Sequence, residues 1–385
     1  MIKVEKFIPG GQALGTAESG KKAFFWNALP GEIVTEYKIT KNKSHYIDAI
    51  STKNIKPSPF RVEPKDACFL STSPWQIMDY NYELKIKAEL VVEFFREHQI
   101  DISLPEILTD NKDYFYRNKM EYALYWDHDL NRIKLAFHAR GSHHKIPIDK
   151  SSIEHPKIFE KACQIVDELN RKNEEARKYQ SMLLRCNQNG EVAGGLYENG
   201  KPHPVFPNLS DTILGHEYSY SPNGFFQINL PVYEMAITEI KKHINTDKVL
   251  DLYAGVGTIG LSVADDRHLI LVECDKSAFG EMTKNIANIK NGNILGLLTK
   301  SEESLSYITS DATVILDPPR AGCDDKLINK LLEITPPMVI YLSCNPATQA
   351  RDVKKLLEKY HIKEIKAFNF FPHTPHIENL VVLSL

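Results

Sequence analysis

Residues 248–261 constrain the fold of this chain more than any other stretch of its 385 residues. They begin with five mostly aliphatic residues, which predict a buried strand, and continue through glycines into a helical pattern. Gly255, Gly257 and Gly260 allow the backbone to approach a ligand and a helix to pack closely on the strand. The stretch therefore predicts an open α/β sheet with a ligand site at the carboxyl edge of its strands.

The next predicted strand, residues 269–273, ends in an acid that could hold a nucleoside. This acid, Glu273, lies 22 residues beyond Asp251, and an acid at that place can accept hydrogen bonds from both ribose hydroxyls. The glycines also satisfy a dinucleotide-binding pattern, so they do not separate a dinucleotide from S-adenosylmethionine. The position of Asp251, two residues before Tyr253, favours S-adenosylmethionine.

Two further predicted strands lead into an acidic or reactive side chain. Residues 314–316 precede Asp317, and two prolines stiffen the turn that follows. Residues 339–342 lead to Cys344, just before a helical pattern over residues 347–359. Because free backbone N–H groups and the helix dipole favour an anion there, we expect the Cys344 thiol to lose its proton more easily than an ordinary thiol. A small buried cysteine is the alternative that position alone leaves open.

Three other side chains are candidates for a functional role, but the local sequence does not show which role each one has. Gln227 carries both donors and acceptors and could contact a base or a cofactor. Arg320 follows the two prolines and could hold a phosphate or organise its loop. Glu378 precedes the last predicted strand, residues 380–385, and taken alone is most simply a surface acid.

The composition excludes several classes of protein. No apolar run approaches the ~20 residues of a membrane helix, and the amino terminus lacks a signal-peptide core, so we expect a cytoplasmic protein without a membrane anchor. The six cysteines include no C-x-x-C pair, which argues against disulfides and zinc. His138, His143 and His144 lack a completing Cys or carboxylate, so we expect no metal. The net charge of −3 requires any polyanion to meet a local basic surface.

Residues 1–60 are predicted to form a small separate barrel, because short β-rich runs alternate with glycine and proline turns. Within residues 1–57 there are nine lysines and five acids, a local charge of +4. Lysines beside aromatic side chains suit the backbone and bases of single-stranded nucleic acid. A solvated lysine-rich surface explains the same residues equally well.

Residues 61–215 are predicted as a central α+β region, and residues 216–385 as the α/β domain. A proline-rich linker at residues 57–64 opens the central region. A helix at residues 82–98 has an apolar stripe that could pack on the α/β domain.

Later in the central region, cations and aromatic side chains alternate in a predicted strand around Arg117 and Lys119, which favours contacts with RNA. A second helix is predicted at residues 157–179, and residues 190–207 are interpreted as loop-rich.

Together these segments resemble the RNA uracil-5-methyltransferases, which make 5-methyluridine in ribosomal and transfer RNA. The resemblance rests on residues 251–257, 316–322, 343–346 and 376–379, supported by residues 225–229 and 116–119. The first 57 residues resemble the TRAM domain, an RNA-binding barrel of OB type found in several RNA-modifying enzymes, through Gly10, Gly11, Gly15, Gly20 and residues 29–32.

The resemblance implies a Rossmann-like domain that uses S-adenosyl-L-methionine and acts on RNA. It gives Cys344 the role of nucleophile and Glu378 the role of base. The cofactor contacts that it implies are Gln227, Tyr253, Gly255, Glu273 and Asp317. The RNA contacts that we expect are Arg117, Lys119 and Arg320.

The resemblance also bears on the target RNA and on an iron–sulfur cluster. Enzymes with this barrel favour 23S ribosomal RNA, with uridine 54 of transfer RNA as the alternative, and we expect a monomer. Many family members hold a cluster with four cysteines near the first linker, where only Cys68 remains here, so we expect no cluster. An RNA cytosine-5-methyltransferase, a dehydrogenase and a non-catalytic RNA-binding protein are the rival interpretations.

Overall fold

The computed structural model describes residues 1–289 and 293–385, and it begins with a closed β-barrel. Its strands are β1 (Ile2–Phe7), β2 (Ala13–Thr16), β3 (Lys22–Trp26), β4 (Ile33–Asn42) and β5 (Tyr46–Ile55). They follow the order β1-β2-β3-β5-β4, and the pairing of β4 with β1 closes the barrel. Alternate side chains such as Val4, Phe25 and Ala49 point inward and are buried, as the two-residue period of a strand requires.

Two helices and a short strand link the barrel to the rest of the molecule. They are α1 (Phe69–Thr72), α2 (Tyr80–Glu97) and β6 (Ile107–Leu108). Asp79 caps α2 by accepting a hydrogen bond from the Tyr82 N–H at 3.1 Å. The apolar face of α2, including Val91 and Phe95, belongs to the same buried cluster as Val353 of the carboxy-terminal region.

The central region is a mixed layer of sheet and helix. It contains β7 (Lys119–Asp127), β8 (Arg132–His138), β9 (Lys145–Pro147), α3 (Pro156–Arg171), β10 (Ser181–Cys186), β11 (Val192–Glu198) and β12 (Lys201–His203). The strand order is β12-β11-β10-β7-β8-β9, and α3 buries its apolar side against this sheet. A hairpin of β13 (Leu209–Ile213) and β14 (His216–Tyr220) follows.

Three details of this region differ from the sequence-based expectations. The predicted strand around Arg117 begins only at Lys119, and the second helix ends at Arg171 because Asn173 adopts a left-handed φ of 54°. The stretch interpreted as loop-rich contains β11 and β12. Its Gly194 serves strand pairing, because a Cβ there would lie 2.1 Å from the Leu183 carbonyl oxygen of the neighbouring strand.

The carboxy-terminal region alternates helices and strands. In chain order these are α4 (Leu230–Lys241), β15 (Lys248–Leu252), α5 (Thr258–Val263), β16 (His268–Glu273), α6 (Lys276–Asn288), β17 (Ile294–Leu298), β18 (Ala312–Leu316), α7 (Asp325–Ile334), β19 (Met338–Ser343), α8 (Pro346–Leu356), β20 (His361–Phe368) and β21 (Glu378–Ser384).

These strands form one sheet in the order β17-β16-β15-β18-β19-β21-β20-β6. The strands from β17 to β19 are parallel, whereas β21 runs antiparallel to both of its neighbours. Strand β15 lies at the centre of the parallel part, where the direction of winding changes, and such a point creates a crevice for ligands. Within the described residues, every helix is too short or too polar to cross a membrane.

Candidate active site

A cavity of about 1450 Å³ opens at the carboxyl ends of the parallel strands. It brings together most of the side chains that the sequence singled out, namely Gln227, Tyr253, Gly255, Glu273, Asp317, Arg320, Cys344 and Glu378. The expected RNA contacts Arg117 and Lys119 are not among its lining residues.

The strand register explains how distant residues meet in this cavity. Leu252 of β15 pairs with Leu316 of β18, so Tyr253 and Asp317 both lie one residue past a paired strand end. Ser343 of β19 pairs with Asn379 of the antiparallel β21. Continuing that register by one residue places Cys344 beside Glu378.

The loop after β15 presents its backbone to the cavity. Tyr253, Gly255 and Gly257 all have positive φ angles of 65°, 57° and 89°. A Cβ on Gly255 would meet no atom within 4 Å, so this glycine borders open space on the cavity side. A Cβ on Gly260 would lie 2.5 Å from the Leu271 side chain, so this glycine serves helix packing. The loop thus has the backbone exposure that a nucleoside cofactor requires.

Glu273 is fixed at the end of β16 by backbone donors. Its carboxylate accepts hydrogen bonds from the N–H groups of Gly255, Cys274 and Asp275 at 2.8, 2.7 and 2.6 Å. A carboxylate offers about four acceptor positions, so roughly one remains for an incoming hydroxyl in this arrangement.

Three acidic groups around the cavity hold their protons more tightly than usual. Burial raises the pKa of Asp317 to about 7. Burial also raises the pKa of Asp251 to about 8, although the Gly260 N–H, at 2.8 Å, opposes the change. Glu378 is only 3% exposed, and burial followed by the charge of Asp317 raises its pKa well above the usual value.

The expectation of an easily ionised thiol at Cys344 is wrong for this arrangement. Burial, then the charges of Glu378 and Asp317, raise its pKa to about 11, while Arg320 acts in the opposite direction. Cys344 does lie at the start of α8, as predicted. Partial burial and two carboxyl groups therefore outweigh the helix terminus, so the thiol holds its proton more tightly than an ordinary thiol.

The three cations that were expected to contact RNA lie in different surroundings. Arg320 lines the cavity together with His376, whereas Arg117 and Lys119 lie outside the lining. Partial burial and then the charges of Arg320, Lys87, Arg117 and Arg140 lower the pKa of the His376 imidazole at the cavity wall. Lys119 instead donates to the carbonyl oxygens of residues 223 and 224 at 3.2 and 3.0 Å. Burial lowers the pKa of Lys119 to about 8.

Arg185 is a residue that the sequence reasoning missed. Its guanidinium is fully buried and donates to the carbonyl oxygens of Phe226 and of Gln227, the latter at 3.2 Å. It lies over the ring of Tyr220 at 4.9 Å. It thus holds the loop that presents Gln227 to the cavity. A single cation within an aliphatic strand was the available signal, since buried charges require partners.

Within residues 1–289 and 293–385, groups of three or more His, Cys, Asp or Glu side chains that could hold a metal ion are absent.

Comparison with known proteins gives this arrangement a context. Residues 212–385 match the family model described as tRNA (uracil-5-)-methyltransferase. An uncharacterised RNA methyltransferase of Fusobacterium nucleatum is 29% identical, and the alignment covers 98% of this chain and 94% of the relative. One of Lactiplantibacillus plantarum is also 29% identical, with coverage of 97% and 94%.

Among solved structures, the tRNA (uracil-54, C5)-methyltransferase of Pyrococcus abyssi in complex with S-adenosyl-L-homocysteine aligns over 100% of both chains. The TM-score between the two structures is 0.78 and their sequences are 23% identical, so the two proteins share a fold. The predicted Rossmann-like α/β fold with an amino-terminal barrel is thereby confirmed.

Proposed function

We propose that this chain, whose residues 212–385 match the tRNA (uracil-5-)-methyltransferase family model, methylates carbon 5 of one uridine by means of a covalent Cys344 adduct. The observation that carries the proposal is the register of β19 and β21, which brings Cys344 and Glu378 together at the wall of one cavity. The chemistry requires a nucleophile and a base on the same pyrimidine ring.

The enzyme depends on S-adenosylmethionine, and the residues present fit that cofactor. The open space beside Gly255 admits a ligand against the backbone, and Glu273 is oriented toward the same cavity. We assign Gln227, Tyr253 and Asp317 to the same binding site, because they line it from three different elements. When bound, the cofactor supplies an electrophilic methyl group.

Cys344 adds to carbon 6 of the uracil in the proposed mechanism. Carbon 5 is a poor nucleophile until the bond between sulfur and carbon 6 converts the ring into an enolate. The thiol releases its proton to water before this step, and Arg320 favours the thiolate by its positive charge. Carbon 5 would then take the methyl group as the bond between that methyl and the sulfonium sulfur breaks, which leaves S-adenosylhomocysteine as the product of the cofactor.

Glu378 completes the reaction by removing the proton that carbon 5 still carries. The electron pair of the broken C–H bond restores the ring double bond, and the sulfur leaves carbon 6 as thiolate. The proton passes from Glu378 to water. Since Glu378 is buried beside Asp317, its pKa is raised, which makes its carboxylate a stronger base than an ordinary one.

The experiment that tests this proposal uses RNA containing 5-fluorouridine. Fluorine at carbon 5 leaves no proton for Glu378 to remove, so the wild-type enzyme is expected to remain covalently attached to the RNA. Cys344→Ala is expected to abolish both the attachment and the transfer of labelled methyl groups. An enzyme that methylates uridine at the wild-type rate without Cys344 contradicts the proposal, and methyl transfer to cytosine instead supports the cytosine-5 alternative.

For the RNA target, we propose 23S ribosomal RNA on the basis of the amino-terminal barrel. The second candidate is transfer RNA, which is favoured by the full-length likeness to the Pyrococcus abyssi enzyme. A flexible loop or single strand suits either target, because the uridine must leave its stack to reach the cavity. Mapping 5-methyluridine in both RNAs of a deletion strain decides between them, and a loss from transfer RNA alone contradicts the ribosomal assignment.

A further inference from the structure

Residues 369–377 join β20 to β21 and lead directly into Glu378, the first residue of β21, so they adjoin the strand end that carries this carboxylate. His373, in the middle of this connection, has a φ of 60°, which residues other than glycine adopt infrequently. A conformation of this kind persists where surrounding contacts determine it. The relevant contacts come from α2 and from the barrel.

Two buried charges of α2 hold the connection at three points. Both carboxylate oxygens of Glu83 accept hydrogen bonds from the His373 N–H, at 3.0 and 2.9 Å. The ammonium of Lys87 lies 2.8 Å from Glu83 and donates to Asn369 Oδ1 at 2.6 Å and to the Phe371 carbonyl oxygen at 3.1 Å. Both charged side chains are 0% exposed.

The barrel and the segment before α2 contact the same connection. Gly11 has a φ of 89°, and a Cβ there would lie 2.2 Å from the Cβ of Pro375. The Gly11 carbonyl oxygen accepts a hydrogen bond from the Trp75 indole at 2.9 Å. The backbone N–H of Trp75 in turn donates to the His373 carbonyl oxygen at 3.0 Å.

We propose that Gly11, Trp75, Glu83 and Lys87 form a clamp that positions Glu378 for removal of the carbon 5 proton. The inference rests on the proposed role of Glu378 as base. A buried ion pair adds little net stability, because both ions lose their hydration. Its hydrogen bonds fix direction, however, and they reach Asn369, Phe371 and His373 of the connection that leads into the base. Loosening the clamp should therefore slow proton removal while methyl transfer continues.

Two adjacent glycines allow a matched test from the barrel side. Gly10 and Gly11 have φ angles of 91° and 89°, but a Cβ on Gly10 would meet no atom within 4 Å. Both alanine variants carry the same backbone strain, and only Gly11→Ala collides with Pro375. For Gly11→Ala with uridine RNA, we expect product release to slow by about 10- to 100-fold, because a small misplacement of a reacting group lowers the rate by such a factor. Its methyl transfer in a single turnover should stay within about threefold of wild type.

The α2 side has its own matched pair. Glu83→Gln places an amide where Lys87 or the His373 N–H needs an acceptor, so the clamp loosens. Glu32 is an equally buried carboxylate of the barrel that accepts from the N–H groups of Leu29 and Ser58, and Glu32→Gln is the control. We expect covalent enzyme–RNA adduct on denaturing gels during turnover of uridine RNA for Glu83→Gln, and wild-type levels of adduct for Glu32→Gln.

The outcomes separate the clamp from the chemistry. The clamp is wrong if Gly11→Ala and Glu83→Gln have the same ratio of methyl-transfer rate to product-release rate as their controls. It is also wrong if both variants slow the two steps by the same factor. If Glu378→Gln itself accumulates no adduct, or wild-type enzyme is not trapped by 5-fluorouridine RNA, the proposed mechanism fails instead.

Discussion

At Cys344, the surroundings oppose the ionisation that the proposed chemistry needs. Burial and two carboxyl groups raise the pKa of the thiol to about 11, so the thiolate fraction near neutral pH is small and grows about tenfold for each unit of pH. The raised pKa of Glu378 acts in the same direction, because its base form also increases with pH.

We therefore expect kcat/KM to rise as the pH increases from 7 to 9. Arg320→Gln should displace this rise toward higher pH, since Arg320 lowers the thiol pKa. Initial rates with saturating cofactor across this range test the prediction. A flat profile, or a fall with increasing pH, contradicts it.

At Arg185, we expect a change in cofactor affinity rather than in chemistry. Arg185→Met leaves the buried carbonyl oxygen of Phe226 without its donor, a cost of about 1–3 kcal/mol, whereas the carbonyl oxygen of Gln227 keeps the Asn118 amide at 3.1 Å. The loop that carries Gln227 should loosen, and KM for S-adenosylmethionine should rise by about tenfold. Steady-state kinetics and the melting temperature test this prediction. Arg185→Lys should give a KM and a melting temperature between those of wild type and Arg185→Met.

At the scale of elements, close packing between α5 and the sheet depends on Gly260. A Cβ there would lie 2.5 Å from the Leu271 side chain and 2.8 Å from the carboxylate of Asp251. Gly260→Ala should therefore lower the free energy of unfolding by about 1–3 kcal/mol. Gly280 of α6 has no atom within 4 Å of such a Cβ, so Gly280→Ala should raise it by about 0.5–1 kcal/mol. Urea unfolding compares the pair, and equal effects contradict the prediction.

The sequence predicted those parts of the site that depend on local pattern. Asp317 and Cys344 each follow an aliphatic run, and the edge of a parallel sheet gathers such strand ends. The raised pKa of Cys344 could not be predicted, because it depends first on burial in the fold and then on Glu378, which arrives on an antiparallel strand. The contact of Lys87 with Asn369 spans 282 residues, a separation that periodicity does not encode.

At the scale of the whole molecule, the basic surface of the barrel is proposed to contact RNA. Lys38, Lys41 and Lys43 are exposed on or beside β4, and Lys41 lies 5.5 Å from the ring centre of Tyr46. Replacing the three lysines by glutamine should reduce the salt dependence of RNA binding by about 2 in the log–log slope, at roughly 0.7 per phosphate contact. Binding titrations at several salt concentrations measure the slope.

The matched control for this triple variant replaces three exposed lysines outside the barrel, Lys161, Lys326 and Lys359. It should leave the slope unchanged. Equal slopes for the two triple variants contradict an RNA-binding barrel.

The absence of an iron–sulfur cluster stays a prediction. Cys68 is buried, and such a cluster needs four thiolates. Protein purified without oxygen should contain neither iron nor acid-labile sulfide, and a stoichiometric amount of either contradicts the prediction.

The pairing of β6 with β20 has a consequence for how the polypeptide can be divided. Residues 107 and 108 complete the outer edge of the sheet, although they precede the six-stranded sheet of the central region in the chain. A polypeptide of residues 212–385 alone would leave the backbone groups at Ala367 and Phe368 of β20 unpaired as well, and it would expose the apolar surface that α2 covers. Such a fragment should self-associate through the open strand, because unpaired edges invite pairing with another copy. We therefore expect residues 212–385, which match the family model, to be shorter than the unit that folds by itself.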